Sequence, residues 1–492
     1  MEKHSNRTNV RTRAMRRMIL TAAAVIMAIG AGAQNVEATF GAEGKMLGHS
    51  NEPQLIGYTD GSVVMTDVQS RKLVLASYDI DQNEKARVEL GSSKEVECYG
   101  GFVNGDNVDL LLVNNGDGMM RVWRERRSLS TLQPVGDPST LADFKGEKKD
   151  KFYFTLGTSP SQELLAGVSV AARKGLDPEM RVSLYSRQLE AYWHMPISAV
   201  AFNQILVNDS GEVVLGHCTL DQRKACTFTV LDGENEKHFG FRLDSEIWPT
   251  EVSMVRYDNN KLILAVAVCE GHKVIMPLGS NINRIDFYCY DVEKDKLSIT
   301  SHHISDLDAS RLCGRKEGKA PNNNWVQFGN IVQSIADGQG AYLMLDQTWT
   351  VTRNDIPVEQ NRVGMMVIRI NADGKVQWTK SIRMGSRSSW GGRGMIAYRW
   401  RSTADGIALA LAQHAKNASL TPDQPVKTFR IFKDKAILNV YTLNPKGELN
   451  RTDYNIGKQA IVGAARTVDS HNLMLFLIAS ANKGQFANIT IK

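Results

Sequence analysis

The stretch SIRMGSRSSWGGRGMIAYRWRS, residues 381–402, concentrates the side chains with the clearest binding chemistry in this sequence. Arginine forms paired hydrogen bonds with carboxylates and stacks on aromatic rings. Arginine beside tryptophan is therefore typical of sites for anionic glycans or acidic protein surfaces. We expect the stretch to form a long connection, and we expect Arg387, Trp390 and Arg393 to contribute to ligand binding, with Trp390 and Arg393 at an exposed tip.

The end of this stretch has an alternative interpretation that the sequence leaves open. In MIAYRWRS, residues 395–402, polar and apolar side chains alternate as they do in a half-buried strand. On that interpretation Arg399 and Arg401 lie together on the solvent face of an ordinary strand.

Motifs for covalent, metal or phosphate chemistry are absent from the sequence. No Gly-x-Ser-x-Gly, Gly-x-x-x-x-Gly-Lys-Ser or His-Glu-x-x-His occurs. The adjacent His302 and His303 point to opposite faces if they lie on a strand, so they do not form a two-histidine metal site together. We therefore predict no metal site and no cofactor, and the sequence names no catalytic residue.

Cysteines Cys218 and Cys226 flank the short connection TLDQRKA. This spacing places them opposite each other across a hairpin, where an exported protein would form a disulfide. Two buried free thiols are the alternative.

The elements that position these side chains are short strands that recur along the chain. Apolar strands, most of them led by a Gly or Asn turn, begin near residues 61, 107, 162, 211, 260, 340, 406 and 472. In five units a second, alternating strand follows, then a turn such as Asp373-Gly374, and then a third strand. Units spaced by 47 to 79 residues are within the range of propeller blades with variable loops.

The repeat predicts an all-β fold with a single β-propeller. We expect about seven blades, with six or eight left open, because a blade cannot bury both faces alone. Ring closure hides edge strands, so we expect the last strand pair, 472–491, to pair with the N-terminal strands around Gln54–Val64. The alanine-rich stretch 404–420 favours helix by propensity, and we predict a strand there from the phase of the repeat.

The turn INADGKVQW resembles the blade end of quinoprotein-like (PQQ-repeat-like) propellers, in which an acidic turn is followed by tryptophan. Trp378 and Trp193 occupy this position in two repeats. The resemblance implies a secreted bacterial propeller whose tryptophans pack between blades. Dehydrogenases of this shape often carry adjacent cysteines beneath the cofactor, and this chain has no such pair, so the resemblance implies the fold and not that activity.

The N-terminus reads as an export signal. Residues 1–17 carry six basic side chains and one acid, the uncharged run Met18–Ala33 follows, and the run ends on Ala-Gly-Ala. Its 16 residues are short for a membrane-spanning helix. We therefore predict a signal peptide over 1–33, cleavage after Ala33, and a propeller domain over 34–492 without a transmembrane anchor.

Processing removes most of the positive charge. The whole chain has a formal net charge of +6, and the part after Ala33 has 53 basic and 52 acidic side chains. A nucleic-acid-binding protein would keep a clustered basic excess, so we expect no nucleic-acid partner.

These observations favour a non-catalytic binding propeller in the periplasm or outside the cell. We expect it to be a monomer that presents inter-blade loops to a protein or glycan partner. The alternative is a hydrolase or lyase acting on polysaccharide, with its site at the mouth of the central channel.

Overall fold

A computed structural model describes residues 35–45, 54–59, 61–116, 118–147, 149–198, 200–221, 224–244, 247, 249–269, 282–304, 327–353, 356–389, 398–420, 424, 426–427, 429–430, 433–464, 473–479 and 483–491. Apart from Asn35, these residues belong to one compact unit, Val36–Ile491. The predicted signal peptide, 1–33, lies outside the described residues. Within them no helix has the length and apolar character needed to cross a membrane.

The described residues form eight sheets, antiparallel except for the pair of β26 (Val376–Ser389) and β29 (Phe429–Arg430), and five of them consist of four consecutive strands. The first strands, β1 (Val36–Phe40) and β2 (Gly44–Lys45), belong to the last sheet. Blade one contains β3 (Gln54–Thr59), β4 (Ser62–Gln69), β5 (Lys72–Asp79) and β6 (Glu84–Ser92). Blade two contains β7 (Val96–Asn104), β8 (Asn107–Gly116), β9 (Met119–Ser128) and β10 (Ser139–Lys145). Blade three contains β11 (Lys151–Thr158), β12 (Leu164–Ala172), β13 (Glu179–Ser186) and β14 (Ala191–Ile197).

Blades four to six continue the pattern. Blade four contains β15 (Gln204–Val207), β16 (Val213–Cys218), β17 (Ala225–Leu231) and β18 (Glu236–Arg242). Blade five contains β19 (Pro249–Asp258), β20 (Lys261–Val268), β21 (Arg284–Asp291) and β22 (Lys296–His303). Blade six contains β23 (Gln327–Asp337), β24 (Gly340–Arg353), β25 (Ile356–Asn371) and β26 (Val376–Ser389).

Blades seven and eight complete the chain. Blade seven contains β27 (Tyr398–Thr403), β28 (Gly406–His414), β30 (Ala436–Leu443) and β31 (Leu449–Asn455). Between β28 and β30 lie a 3-10 helix, Ala415–Ser419, and β29 (Phe429–Arg430), which pairs with β26 of blade six. Blade eight contains β32 (Ala460–Ala464), β33 (Leu473–Ala479) and β34 (Lys483–Ile491), with β1 as its outer strand.

The second strand of each blade is apolar because both of its faces are buried. In β4, Val63 and Met65 pack toward blade eight, whereas the intervening Val64 packs toward blade two. Outer strands such as β14 and β31 instead alternate between exposed and partly buried residues. The alternating pattern therefore marks outer strands, and the continuous apolar runs mark second strands.

Eight hydrophobic clusters join the described sheets into a closed ring. Each cluster combines residues of two neighbouring blades, and the cluster between blades eight and one includes Leu55, Val63, Leu477 and Phe486. Since every blade shares its two faces with two neighbours, the ring has no open end. The molecule is a single all-β propeller, as the repeat predicts.

The preferred number of seven blades is wrong, because the described sheets number eight. The eight recurring apolar strands of the sequence are the eight second strands, β4, β8, β12, β16, β20, β24, β28 and β33. The last of them does not share the first blade. It has its own inner strand, β32, so it belongs to a separate sheet.

Ring closure does join the two ends of the described chain, but through a different N-terminal strand. Val36 of β1 pairs with Ile491 of β34, and the register continues to Phe40 opposite Ala487. The expected partner, Gln54–Val64, instead forms the inner part of blade one. The shorter and more polar β1 is sufficient because it serves only as the outer strand, where one face meets solvent.

Trp193 and Trp378 pack between blades, as predicted. Trp378 of β26 donates its indole Nε1–H to the carbonyl of Pro445 in blade seven, at 2.8 Å. Its ring covers Gly447, whose φ is +85°. A Cβ added at this glycine would lie only 3.2 Å from the indole. Trp193 covers Gly233 of blade four in the same way. In both cases tryptophan on an outer strand contacts a positive-φ glycine in the next blade.

The two faces of the ring differ in their connections. One, here the tight-turn face, carries two-residue turns at 105–106, 259–260, 338–339 and 404–405. The other, the loop face, holds the strand ends at Val268, His303 and His414, after which longer connections follow in the sequence. The stretch 404–420 spans both: Gly406–His414 is a strand, as the repeat predicts, and Ala415–Ser419 is a 3-10 turn.

Candidate binding site

The predicted ligand-binding residues lie mostly outside the described part of the chain. Trp390 and Arg393 are not among the described residues. Arg387 is placed by its backbone in β26, in parallel register with Arg430 of β29. That Arg387, Trp390 and Arg393 bind a ligand stays a prediction.

The expectation of a long connection over 381–402 is wrong for most of its length. Strand β26 continues to Ser389, because the hairpin of β25 and β26 keeps pairing as far as Glu359 opposite Ser389. Strand β27 then begins at Tyr398. Only residues 390–397 connect the two strands.

Arg399 and Arg401 do lie on a strand, but only one of them faces solvent. Arg399 is exposed, whereas Arg401 is 6% exposed. Arg401 lies at the tight-turn end of an inner strand, next to Ser402, whose hydroxyl reaches the carbonyl of Pro160 in blade three. Strand alternation places both arginines on one face and does not predict that one of them is buried.

An apolar cavity of about 660 Å³ opens on the loop face between blades three and four. Its walls come from β11, β12, β13 and the connection between β14 and β15. The lining residues are Tyr153, Phe154, Thr155, Val168, Val170, Pro178, Met180, Val200, Ala201, Phe202 and Asn203.

Blades three and four approach each other closely at the end of β11 that lies away from the cavity. At Gly157 a Cβ would lie 3.0 Å from Ile205 and 3.1 Å from Val207 of blade four. At the cavity end of β11, Phe154 also packs edge-on against Tyr99 of blade two, with 5.3 Å between the ring centroids.

Few polar groups reach the cavity. The hydroxyls of Tyr153 and Thr155 and the amide of Asn203 are the polar lining groups. At the rim, Arg173 is 2.8 Å from Glu179. Hydrogen bonds from the backbone N–H groups, first that of Glu147 and then that of Lys174, lower the pKa of Asp150. This site suits a neutral, apolar ligand with a few hydrogen-bonding groups.

Exposed apolar side chains extend the surface beyond the cavity. Tyr153 is 54% exposed, and Leu176, two residues before the lining Pro178, is 64% exposed. Two large apolar side chains are therefore exposed at or beside the cavity. No sequence signal marks this site, because its lining comes from four segments without a shared motif.

The cysteine pair has the predicted register. Cys218 and Cys226 are direct partners across β16 and β17, and the neighbouring Thr219 N–H donates to the Ala225 carbonyl. They therefore occupy a non-hydrogen-bonded position, where Cα atoms lie about 4.5 Å apart, within the range of a disulfide. Both are free thiols here. A hydrogen bond with Cys218, and then burial, raise the pKa of the Cys226 thiol. The disulfide stays a prediction.

Metal and acid clusters do not occur among the residues that the structure describes. No group of three or more His, Cys, Asp or Glu side chains lies close enough there to hold a metal ion. His302 and His303 are neighbours on β22, where successive side chains point to opposite faces. The polysaccharide hydrolase or lyase therefore stays a prediction without a located catalytic set.

Comparison with known proteins finds distant structural similarity and no sequence relative. No family model matches this chain, and no curated protein sequence matches it. The WD40 domain of SCAP from fission yeast overlaps with a TM-score of 0.36 at 8% identity, over 93% of this chain and 98% of that domain. The β-propeller domain of the Trilobed protease from Pyrococcus furiosus overlaps with a TM-score of 0.37 at 11% identity, over 80% of this chain and 95% of that domain.

The Nup133 β-propeller domain from Vanderwaltozyma polyspora gives a TM-score of 0.35 at 9% identity, over 95% of this chain and the whole of that domain. At this level of similarity these structures carry no information about the fold or the ligand of this chain.

Proposed function

We propose that this chain is an exported, non-catalytic propeller that binds a protein partner through its loop face. An apolar segment of the partner would insert an aromatic or branched aliphatic side chain between blades three and four. The observation that carries the proposal is the cavity of about 660 Å³ with its apolar lining. Buried apolar anchors of this kind supply most of the energy of protein–protein interfaces.

A protein suits the cavity better than a glycan does. Sugars need many hydrogen-bonding groups, and the lining offers three polar side chains among eleven residues. At the rim Arg173 and Glu179 lie 2.8 Å apart and neutralise each other. The partner segment is therefore apolar and uncharged at the point of contact.

Export and monomeric state complete the proposal. The basic start and apolar run of residues 1–33 support transport to the periplasm or outside the cell. N-terminal sequencing of the protein from its native host should then find Gln34 as the first residue. Kinship with quinoprotein-like propellers is supported by Trp193 and Trp378, which take the packing role that the resemblance implies.

Selection of peptides tests the proposal with a defined probe. Random peptides displayed on phage are selected on the wild-type protein and then measured against Ala201→Trp, whose indole fills the cavity. We expect selected peptides to share an aromatic or branched aliphatic residue, and to bind Ala201→Trp at least about tenfold more weakly, or about 1.4 kcal/mol.

The matched control is Tyr192→Ser, which removes another exposed aromatic side chain, 64% exposed on the outer strand β14. It should leave peptide affinity unchanged, and both variants should keep the melting temperature of the wild type. Equal affinity for Ala201→Trp would refute the cavity as the site. Enrichment of glycans on an array, without peptide enrichment, would refute the protein partner.

A further inference from the structure

Strand β11, the inner strand of blade three, is paired along one edge only. Its partner is β12, with Lys151 opposite Ala172 and Thr158 opposite Leu165. Among the described residues no strand pairs with the other edge, here the free edge, which faces the axis of the ring. The backbone groups on the free edge are therefore the ones that a further strand can use.

The register identifies which residues present their backbone on the free edge. Just beyond the last pair of the ladder, the Ser159 N–H donates to the Leu164 carbonyl at 2.9 Å. Hydrogen-bonded pairs alternate along an antiparallel ladder, so the odd-numbered residues of β11 bond to β12. The N–H and C=O groups of the even-numbered Phe154 and Leu156 therefore point away from β12.

A contact from blade two agrees with this assignment. The side-chain amide of Asn115 donates to the carbonyl of the even-numbered Phe152, at 3.1 Å. The free edge thus already accepts one hydrogen bond from outside blade three. Within the described ranges no such bond reaches the backbone of Phe154 or Leu156.

The free edge borders the apolar cavity at Phe154. Tyr153, Phe154 and Thr155 all line the cavity, although successive side chains of a strand point to opposite faces. The ring of Phe154 packs on the other face, against Tyr99 and over Gly167, where an added Cβ would lie 3.1 Å from it. Phe154 therefore contributes its backbone to the cavity, between two side chains that face it.

A strand added along the free edge would place its side chains on the same two faces as β11 does. Every second side chain would then point to the face of Tyr153 and Thr155, which forms a wall of the cavity. An extended peptide can therefore fill the apolar cavity and satisfy the backbone groups of Phe154 and Leu156 at the same time.

We propose that the partner binds as an extended strand along the free edge of β11. Its backbone exchanges hydrogen bonds with Phe154 and Leu156, and one of its apolar side chains enters the cavity. This inference rests on the proposed function, since it takes the cavity as the binding site. It adds that the partner supplies a terminal or unfolded segment, because a helix bonds its own backbone groups internally.

Methylation of single backbone nitrogens tests the strand directly. The probe is a synthetic peptide with a sequence selected on phage against the wild-type protein, and each variant carries one N-methyl group. A nitrogen that donates to β11 loses its hydrogen bond, whereas the nitrogens on either side of it point away. We expect affinity losses of at least about tenfold at every second position, and of less than about twofold between them.

Hydrogen exchange resolved to single residues gives a second measurement, from the side of the protein. The amides of Phe154 and Leu156 should exchange fast in the free protein and at least about tenfold slower with saturating peptide. The amides of Tyr153 and Thr155 are the matched control, because they bond to β12 and should be protected in both states. Slow exchange of Phe154 and Leu156 in the free protein, or fast exchange in the complex, overturns the proposal.

The outcomes separate strand addition from the proposed function. If no peptide is selected, or if the selected peptides bind Ala201→Trp as tightly as the wild type, the cavity is not the site and both proposals are wrong. If Ala201→Trp weakens binding but N-methylation has equal effects at neighbouring positions, the cavity is the site and the partner does not bind as a strand.

Discussion

Single residues at blade boundaries explain how neighbouring sheets keep a fixed spacing. Trp378 and Trp193 each cover a glycine of the next blade, and both glycines have a positive φ. A side chain at Gly447 would meet the indole and would strain the backbone as well. Tryptophan and glycine therefore form one matched contact, which appears twice in the ring.

Trp378→Ala should lower the free energy of unfolding by about 2–4 kcal/mol, because it leaves a cavity between blades six and seven. Trp378→Phe should lower the free energy of unfolding by a smaller amount. An aromatic ring remains at this position, and the hydrogen bond to Pro445, worth about 1 kcal/mol, is lost. Urea unfolding followed by fluorescence or circular dichroism measures both. Equal losses in the two variants would show that packing against Gly447 contributes little.

The carboxyl of Glu251 should make stability depend on pH. Burial raises the pKa of Glu251 above its usual 4.5, and the hydrogen bond from the Ile331 N–H offsets part of that rise. Because the folded-state pKa is the higher one, the ionised group costs stability, and the cost appears as pH rises through the interval between the unfolded and folded values.

Glu251→Gln keeps an acceptor for Ile331 and removes the charge. Its melting temperature should therefore exceed that of the wild type at pH 7, and the difference should shrink toward zero below about pH 4. Melting curves at both pH values check this. An advantage of the same size at pH 4 would mean that ionisation of Glu251 is not its cause.

At the scale of elements, closure depends on one short strand. Strand β1 covers the edge of β34, buries Val36 against blades seven and eight, and accepts a hydrogen bond from the Tyr454 hydroxyl at the Val36 carbonyl, at 3.0 Å. Without β1 the edge of β34 would present unpaired backbone groups to solvent.

A chain that begins at Gly41 should therefore melt at least about 5 °C lower than one that begins at Val36, or should aggregate. The two chains differ only in β1, which makes the longer one the matched control. Size-exclusion chromatography and thermal unfolding give the comparison. Identical melting and elution would show that the ring closes without its N-terminal strand.

The sequence predicts strands well where burial on both faces leaves a continuous apolar run. Strand β4 and its seven equivalents are recognisable in the sequence for that reason. Their number equals the number of blades once the last of them is assigned to a separate blade. Strand β1 does not stand out, because an outer strand needs only one buried face. Its role depends on pairing with residues more than 400 positions away.

Neither the cavity nor the burial of Arg401 could be predicted from the sequence, for a related reason. The cavity has lining residues in four segments, each of which is an ordinary strand or connection. The alternation of β27 places Arg401 on the same face as the exposed Arg399, yet Arg401 is buried. Contacts between blades depend on ring geometry, and no local pattern encodes them.

At the scale of the whole molecule, the ring has no inherent start. Val36 and Ile491 are direct partners in adjacent antiparallel strands, so their Cα atoms lie about 5 Å apart. A two-residue Asn-Gly turn is therefore long enough to join them as a hairpin. A circularly permuted chain can then open elsewhere, and strand pairing in the opened blade would close the ring.

The turn at Gly338 and Gln339 is a suitable opening, since both residues are exposed and connect β23 to β24. In that permutant blade six would take its inner strand from one end of the chain and its other three strands from the opposite end. We expect a monomer whose melting temperature lies within about 5 °C of the original. Opening between Leu343 and Met344, both fully buried in β24, is the control and should prevent folding. If the permutant opened at the turn aggregates while the original chain stays monomeric, closure through β1 has a role that pairing in blade six does not replace.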